Sequence, residues 1–255
     1  MSRDGPGWVQ AGSYALAAEV PVALVFDGVT QAVMMATPAD LPEFLLGFAL
    51  TEGIIAAPAE VLRSEIVEQG AGIEARAWLA EAPGAAFRDR RRAMMGPVGC
   101  GLCGIESIEQ ALRAVPPVIP RALRLRPGDP GRALADLERA QEIHDRVRGC
   151  HAAGLWRPGA GLIAQAEDVG RHNALDKLAG KLAGQAGGAL VMTSRLSVDL
   201  VQKAAMIGAE VLMGAGAATG LAVAEAERAG ITLIGRAGSR APEIYCHPER
   251  FDGAK

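Results

Sequence analysis

Large aromatic side chains are scarce here: three Trp, two Tyr and five Phe in 255 residues. Any core must therefore be assembled from Ala, Val, Leu and Ile. No run approaches the roughly 20 apolar residues that cross a bilayer; the best candidate, residues 44–57, is short and carries Glu52. The first eight residues contain Arg3, Asp4, Gly5 and Pro6 and offer no apolar signal-peptide core. A soluble, cytoplasmic protein with no membrane partner is expected. The four cysteines, Cys100, Cys103, Cys150 and Cys246, are too few to staple a chain of this size. Charge of one sign is lacking as well. With 29 acidic against 26 basic residues and a net charge of -3, nucleic-acid binding by charge alone is not expected.

Half of the residues are hydrophobic, which excludes disorder as the main state. The 32 glycines and 15 prolines fall in clusters, as tight turns joining short elements require. Residues 19–36 read as a β-hairpin, with Val20, Val22, Leu24 and Phe26 alternating faces and Asp27-Gly28 supplying a type I′ turn. Thr37-Pro38 opens a helix running to about Ile54. A second hairpin spans residues 61–67 and 73–79, and short helices are expected over 85–95 and 105–114. Pro116, Pro117, Pro120, Pro127 and Pro130 mark a boundary between an α+β domain over residues 1–120 and a second domain over 121–255. Beyond it, strands at 162–166, 189–193, 210–213 and 231–234 alternate with helices at 173–182, 198–207 and 221–229. That alternation predicts an α/β sheet with helices on its faces and ligands beyond the carboxyl ends of its strands.

The sharpest chemical feature is Gly99-Cys100-Gly101-Leu102-Cys103-Gly104. Interleaved glycines leave the sulfurs little shielded, and a following helix start favours thiolate over thiol. Such a pair suits a nucleophile that accepts sulfane sulfur and a second thiol that relays it. The spacing also suits zinc, with Cys150-His151 and Cys246-His247 as further ligands, a redox pair, or a structural turn. Upstream, Arg88, Arg90, Arg91 and Arg92 form a solvated helix face or a lure for an anionic partner.

A second polar concentration begins at Glu167 and Asp168 and continues through Arg171, His172, Asn173, Asp176 and Lys177. It stands where an apolar strand ends and a helix begins, an arrangement that suits phosphates or a nucleotide. Ser194 and Arg195 end the next strand, and Gln202 and Lys203 lie on the helix after it. The glycines of residues 214–220 suit an anion-friendly helix terminus, although the third is one place late for a dinucleotide loop. The last strand of the alternation ends in Gly235, Arg236, Ala237, Gly238, Ser239 and Arg240. Several strand ends thus carry anion-binding groups, as one large, multiply charged ligand would require. His151 has Ala153 where a zinc deaminase needs its glutamate, and the cysteine pair precedes it, so deaminase chemistry is not expected.

On these blocks, together with residues 34–41, 46–55 and 245–250, the chain resembles the formate dehydrogenase accessory sulfurtransferases, the FdhD/NarQ family. The resemblance runs from about residue 20 to about residue 250. It implies a sulfurtransferase acting through a cysteine persulfide: a cysteine desulfurase loads Cys100, Cys103 assists, and the sulfur passes to a molybdenum (or tungsten) bis-guanine-dinucleotide cofactor destined for formate dehydrogenase. It implies a second domain similar to the cytidine deaminase fold, a three-layer α/β/α sheet, and a homodimer whose two-fold pair holds the two guanine dinucleotides. The cofactor is cargo, GDP or GMP are its expected mimics, and no metal ligand set belongs to the protein itself. The family's cofactor-binding stretch falls on residues 235–240. Phosphates are expected on Arg171, His172, Lys177, Arg195, Arg236 and Arg240, and guanine N–H groups on Glu167 or Asp168. Where relatives usually show Ser-Ala-Pro-Thr-Ser, this chain has Gly216-Ala217-Ala218-Thr219-Gly220. Cys150 and Cys246 stand where relatives generally have no cysteine, and no catalytic part falls to them. A zinc-stabilised, nucleotide-binding adaptor without sulfur chemistry is the alternative.

Overall fold

Alternating apolar residues and a two-residue turn build the first hairpin of the computed structural model, which describes residues 7–84, 115–120, 123–185 and 187–252. β1 (Trp8–Ala11) and β2 (Tyr14–Ala17) form a small antiparallel ribbon ahead of it. β3 (Val20–Phe26) and β4 (Val29–Ala36) are joined by Asp27 and Gly28, both at positive φ (48° and 76°), as a type I′ turn demands. β5 (Val61–Gln69) and β6 (Gly72–Leu79) make the second hairpin, and β6 lies parallel to β3, giving the order β4-β3-β6-β5. Val22, Leu24, Phe26, Ala75 and Ala77 share one face, on which α1 (Leu41–Thr51) lays Leu41, Phe44, Leu45 and Phe48. This helix starts at Leu41, with Pro42 in its first turn, and not at Thr37-Pro38. The Thr37 N–H donates to Asp168 in the other half of the chain, so residue 37 is committed elsewhere.

The second half builds a six-stranded sheet from β7 (His151–Arg157), β8 (Gly161–Asp168), β9 (Ala189–Met192), β10 (Val211–Gly214), β11 (Thr232–Gly235) and β12 (Glu243–Cys246). The order is β8-β7-β9-β10-β11-β12. β9, β10 and β11 are parallel, β7 is antiparallel to both β8 and β9, and β12 is antiparallel to β11. β8 therefore points the same way as β9, β10 and β11, and all four finish at one edge. α4 (Arg171–Leu182), α5 (Val198–Met206) and α6 (Gly220–Ala229) cover the face that presents Leu155, Leu190, Met192, Leu212 and Leu233. α2 (Asp129–Arg139) covers the opposite face, with Ala152, Val191, Val211, Met213 and Ile234. A six-residue helix, α3 (Glu142–Val147), follows it. The central strands are only four residues long and buried on both sides, so they read as continuous apolar runs. The outcome is the α/β class expected, in three layers.

The two halves meet where α1 crosses α4. A Cβ on Gly47 would stand 1.7 Å from the Asp176 carbonyl oxygen, and one on Gly180 would stand 1.9 Å from that of Glu43. Only glycine lets the two backbones come this close. The expected helices over 85–95 and 105–114, and the cysteine loop between them, lie outside the described residues.

Candidate functional site

The close crossing draws a set of charged side chains out of water. Lys177 is completely buried, with Nζ 2.6 Å from Asp168 Oδ2 and donating to the Thr37 carbonyl at 2.8 Å. The other Asp168 oxygen accepts from the Gly170 N–H and from Asn173 Nδ2, which also donates to the Met35 carbonyl. From α5, Lys203 Nζ donates to Thr51 Oγ1 (3.0 Å), Glu52 Oε1 (2.7 Å) and both oxygens of Asp176 (2.9 and 3.0 Å). Burial works against the Lys203 ammonium, but Asp176 and Glu52 outweigh it and raise its pKa. Lys177 and Lys203 also stand over the rings of Phe44 and Phe48, at 5.9 and 5.4 Å.

This arrangement gives part of the polar block a structural role. Asp168, Asn173 and Lys177 hold the second half to the backbone of Met35 and Thr37, and Lys203 holds it to α1. Their polar groups are engaged within the protein. Glu167 is also turned inward: its oxygens accept from the N–H groups of Ile143 and His144 and cap α3. Burial raises its pKa against the pull of those two bonds. The signal for this role was present but distant, in Thr37, Thr51, Gly47 and Gly180, more than 120 residues from the partners of the first three.

What remains at the edge where β8, β9, β10 and β11 finish is basic. Arg171 and His172 form the first turn of α4. Among the described residues the buried Arg171 Nε and His172 Nε2 atoms have no hydrogen-bond partner, and His172 Nε2 stands 3.7 Å from Asp199 Oδ2. Burial, reinforced by the Arg171 charge, lowers the His172 pKa to about 4, so the imidazole is neutral at physiological pH. Ser194 follows β9 and is buried, its Oγ donating to the Arg195 carbonyl, while Arg195 is exposed. The Arg195 stem lies against Gly216, where a Cβ would meet it at 2.8 Å. The loops after β10 and β11 are joined by Arg236 N–H to the Gly216 carbonyl and Ala237 N–H to the Gly214 carbonyl. Arg236 takes a left-handed φ of 50° and leaves its side chain 61% exposed, 3.4 Å from Glu243. Gly238, Ser239 and Arg240 are exposed beside it, while Ala237 and Gly235 are buried. In the divergent loop of residues 216–220, Thr219 caps α6 by accepting the Ala222 N–H.

The structure thus brings Arg171, His172, Ser194, Arg195 and residues 235–240 to one edge. Cys100 and Cys103 lie outside the described residues. Cys150 sits beside Thr37, Asp168 and Glu167 at the start of β7, where burial pushes its thiol up to about 11. Cys246 ends β12, its Sγ donating to the Ile231 carbonyl, and burial raises its pKa too. Among the described residues no three His, Cys, Asp or Glu side chains converge to hold a metal.

The model of the FdhD/NarQ family matches residues 17–252. "Sulfur carrier protein FdhD" of Agrobacterium fabrum is 48% identical over 250 residues, covering 96% of this chain and 92% of the relative. The protein of the same name from Cupriavidus necator is 44% identical over 255 residues, covering 98% of this chain and 88% of its own. A crystal structure from Desulfotalea psychrophila, of a protein described as a candidate formate dehydrogenase accessory protein, aligns over 96% of both chains with a TM-score of 0.71 and 25% identity. The family match over residues 17–252, the identity to these relatives and the shared α/β fold place the chain in the FdhD/NarQ family.

Proposed function

We propose that this protein is a sulfur carrier that matures formate dehydrogenase. Cys100, as thiolate, attacks the outer sulfur of a persulfide on a cysteine desulfurase. A bond forms between Cys100 Sγ and that sulfur, the desulfurase S–S bond breaks, and the desulfurase cysteine leaves as thiolate. Cys103 thiolate attacks Cys100 Sγ, a Cys100–Cys103 disulfide forms, and the outer sulfur leaves as hydrosulfide for the molybdenum or tungsten bis-guanine-dinucleotide cofactor, carried as cargo. Family membership and the names of the relatives support sulfur carriage. The single observation that supports cofactor binding is the pair of buried, unpartnered nitrogens on Arg171 and His172, beside the exposed Arg195, Arg236 and Arg240. A buried guanidinium N–H without a partner is costly, and a phosphate oxygen supplies what Arg171 lacks; the neutral His172 joins it in the tautomer that carries its proton on Nε2. The phosphate-holding set is therefore Arg171, His172, Arg195, Arg236 and Arg240. A homodimer provides one such edge for each dinucleotide, and residues 1–120 and 121–255 are the two working units.

Intact mass after incubation with a cysteine desulfurase and cysteine tests the carrier. The expected result is a reducible gain of about 32 Da per sulfur, lost in Cys100→Ala. No gain, with the desulfurase active on another acceptor, overturns it, and one bound zinc per chain held by Cys100 and Cys103 would establish the adaptor instead. For the cargo site, GDP binding is expected to be lost in Arg171→Ala/Arg236→Ala. Undiminished affinity in that variant refutes the assignment.

A further inference from the structure

On the α2 face of the six-stranded sheet lies a cavity of about 450 Å³. Trp156 forms part of its wall near the end of β7, where it pairs with Ala189, the first residue of β9. The cavity thus opens toward the edge opposite to the one where β8 to β11 finish, away from Arg171 and Arg236. Three arginines line it, two of them flanking a single buried anchor. Leu125 is fully buried, its N–H donates to the Arg250 carbonyl, and its own carbonyl accepts the Asp252 N–H. That extended segment leaves Arg124 and Arg126 exposed on either side of Leu125, and Arg132 joins them from α2.

Three arginines outnumber the two carboxylates, Asp129 and Asp252, that line this cavity. Asp129 is 2% exposed and already occupied: one oxygen accepts the Arg126 N–H at 2.6 Å and the other accepts the Arg132 guanidinium. It fixes the arginine and does not face a ligand. Arg124 gives one N–H to the Glu249 carbonyl, and the Arg126 guanidinium has no partner among the described residues. The one exposed carboxylate is Asp252, also on the cavity wall. Each guanidinium carries five N–H donors in a planar fork that fits a phosphate in bidentate fashion. The volume falls within the range of small-molecule sites.

We propose that this cavity is a second anion site, which holds the phosphate of a small phosphorylated metabolite on Arg126, Arg132 and Arg124. Asp252 accepts a hydroxyl from the remainder of the ligand. The site is independent of sulfur transfer and of the cargo edge, so its failure leaves both of those readings where they stand.

The Trp156 indole N–H, which donates to Asp136 Oδ2 at 2.8 Å, gives a local reporter. The other two tryptophans stand elsewhere under their own arginines, Trp8 under Arg146 and Trp78 under Arg63. The full-length protein is labelled with ¹⁵N-tryptophan, the Trp156 signal is assigned with Trp156→Phe, and inorganic phosphate and ribose 5-phosphate are titrated at constant ionic strength. The expected result is a saturating shift of the Trp156 signal alone, with affinity falling about tenfold or more in Arg126→Ala and unchanged in Arg236→Ala. A response to both ligands identifies phosphate as the recognised group; a response to ribose 5-phosphate only identifies the ester. No shift, a shift reproduced by sodium chloride, or an equal response in an Arg126→Ala protein of unchanged thermal stability overturns the proposal.

Discussion

Replacing Gly47 by alanine tests the account of how the two halves are joined. In an ordinary helix this change stabilises by up to about 1 kcal/mol, because glycine has more backbone freedom to lose. Here the added methyl would sit 1.7 Å from the Asp176 carbonyl oxygen and 2.7 Å from the Gly180 nitrogen. Both of these are backbone atoms, which no rotamer change can move. To regain ordinary contact, α1 and α4 must part by at least about 1.5 Å, on the scale of an atomic radius. Overpacking of this kind costs about 1–3 kcal/mol. The same movement pulls Thr51 from Asp176 and Lys203 from Thr51 and Glu52, contacts of 2.6–3.0 Å of which the first two are buried. Breaking a buried pair costs about 3–5 kcal/mol. Even if only half of that is lost, the net effect is a destabilisation of about 1.5–5 kcal/mol, out of a total of about 5–15 kcal/mol typical of a folded domain. Urea unfolding followed by circular dichroism measures it. Gly220→Ala is the control, because it opens α6 with no atom within 4 Å of the added carbon and should be neutral or slightly stabilising. A Gly47→Ala protein within 1 kcal/mol of the parent would refute the reasoning.

Lys177→Met leaves Asp168 buried without its cation and should cost about 3–5 kcal/mol in the same urea assay; a loss below 1 kcal/mol would show that the pair is not a clamp. His172 has its pKa lowered from 6.5 to about 4 in the folded chain, so only the unfolded chain takes up its proton as pH falls through that window. Stability is therefore unaffected by this group above pH 6.5 and declines below it, by at most about 1 kcal/mol per unit for a side chain that is partly exposed. His172→Asn should flatten the fall in urea midpoint between pH 7 and pH 5, though not abolish it, because burial lowers the His151 pKa as well. Maleimide labelling of the native protein near neutral pH, mapped by peptide mass, should spare Cys150 and Cys246, since both are buried with raised pKa values; rapid labelling of either before unfolding would contradict their placement.

Elements specified by local chemistry were legible in the sequence. Asp27-Gly28 needs no tertiary help to turn, and the short apolar strands β9, β10 and β11 are separated by helices with polar faces. β7 was not legible, because Ala152 to Trp156 is buried on both faces and carries no alternation. Pro130 suggested linker but lies in the first turn of α2, where a missing N–H does no harm. The polar block from Glu167 to Lys177 is ambiguous in sequence for a different reason. Its partners Thr37 and Thr51 lie 131 and 125 residues away from Asp168 and Asp176 in sequence. Charges crowded at a strand end look alike whether they meet a ligand or another part of the chain. Arg171, His172 and the arginines at 195, 236 and 240 were placed at one edge because strand direction alone puts them there.

The α1–α4 crossing also decides how this fold can be recombined. A chimera that takes residues 1–84 from one relative and the remainder from another imports half of a lock. Thr37, Gly47 and Thr51 would have to arrive with surfaces shaped to Asp168, Gly180, Asp176 and Lys203, or each piece would bring buried charge with nothing to meet it. Exchange between relatives is therefore tolerated as one block across this seam, and the loops at the basic edge, tied to one another through Gly214 and Gly216, move as a second block.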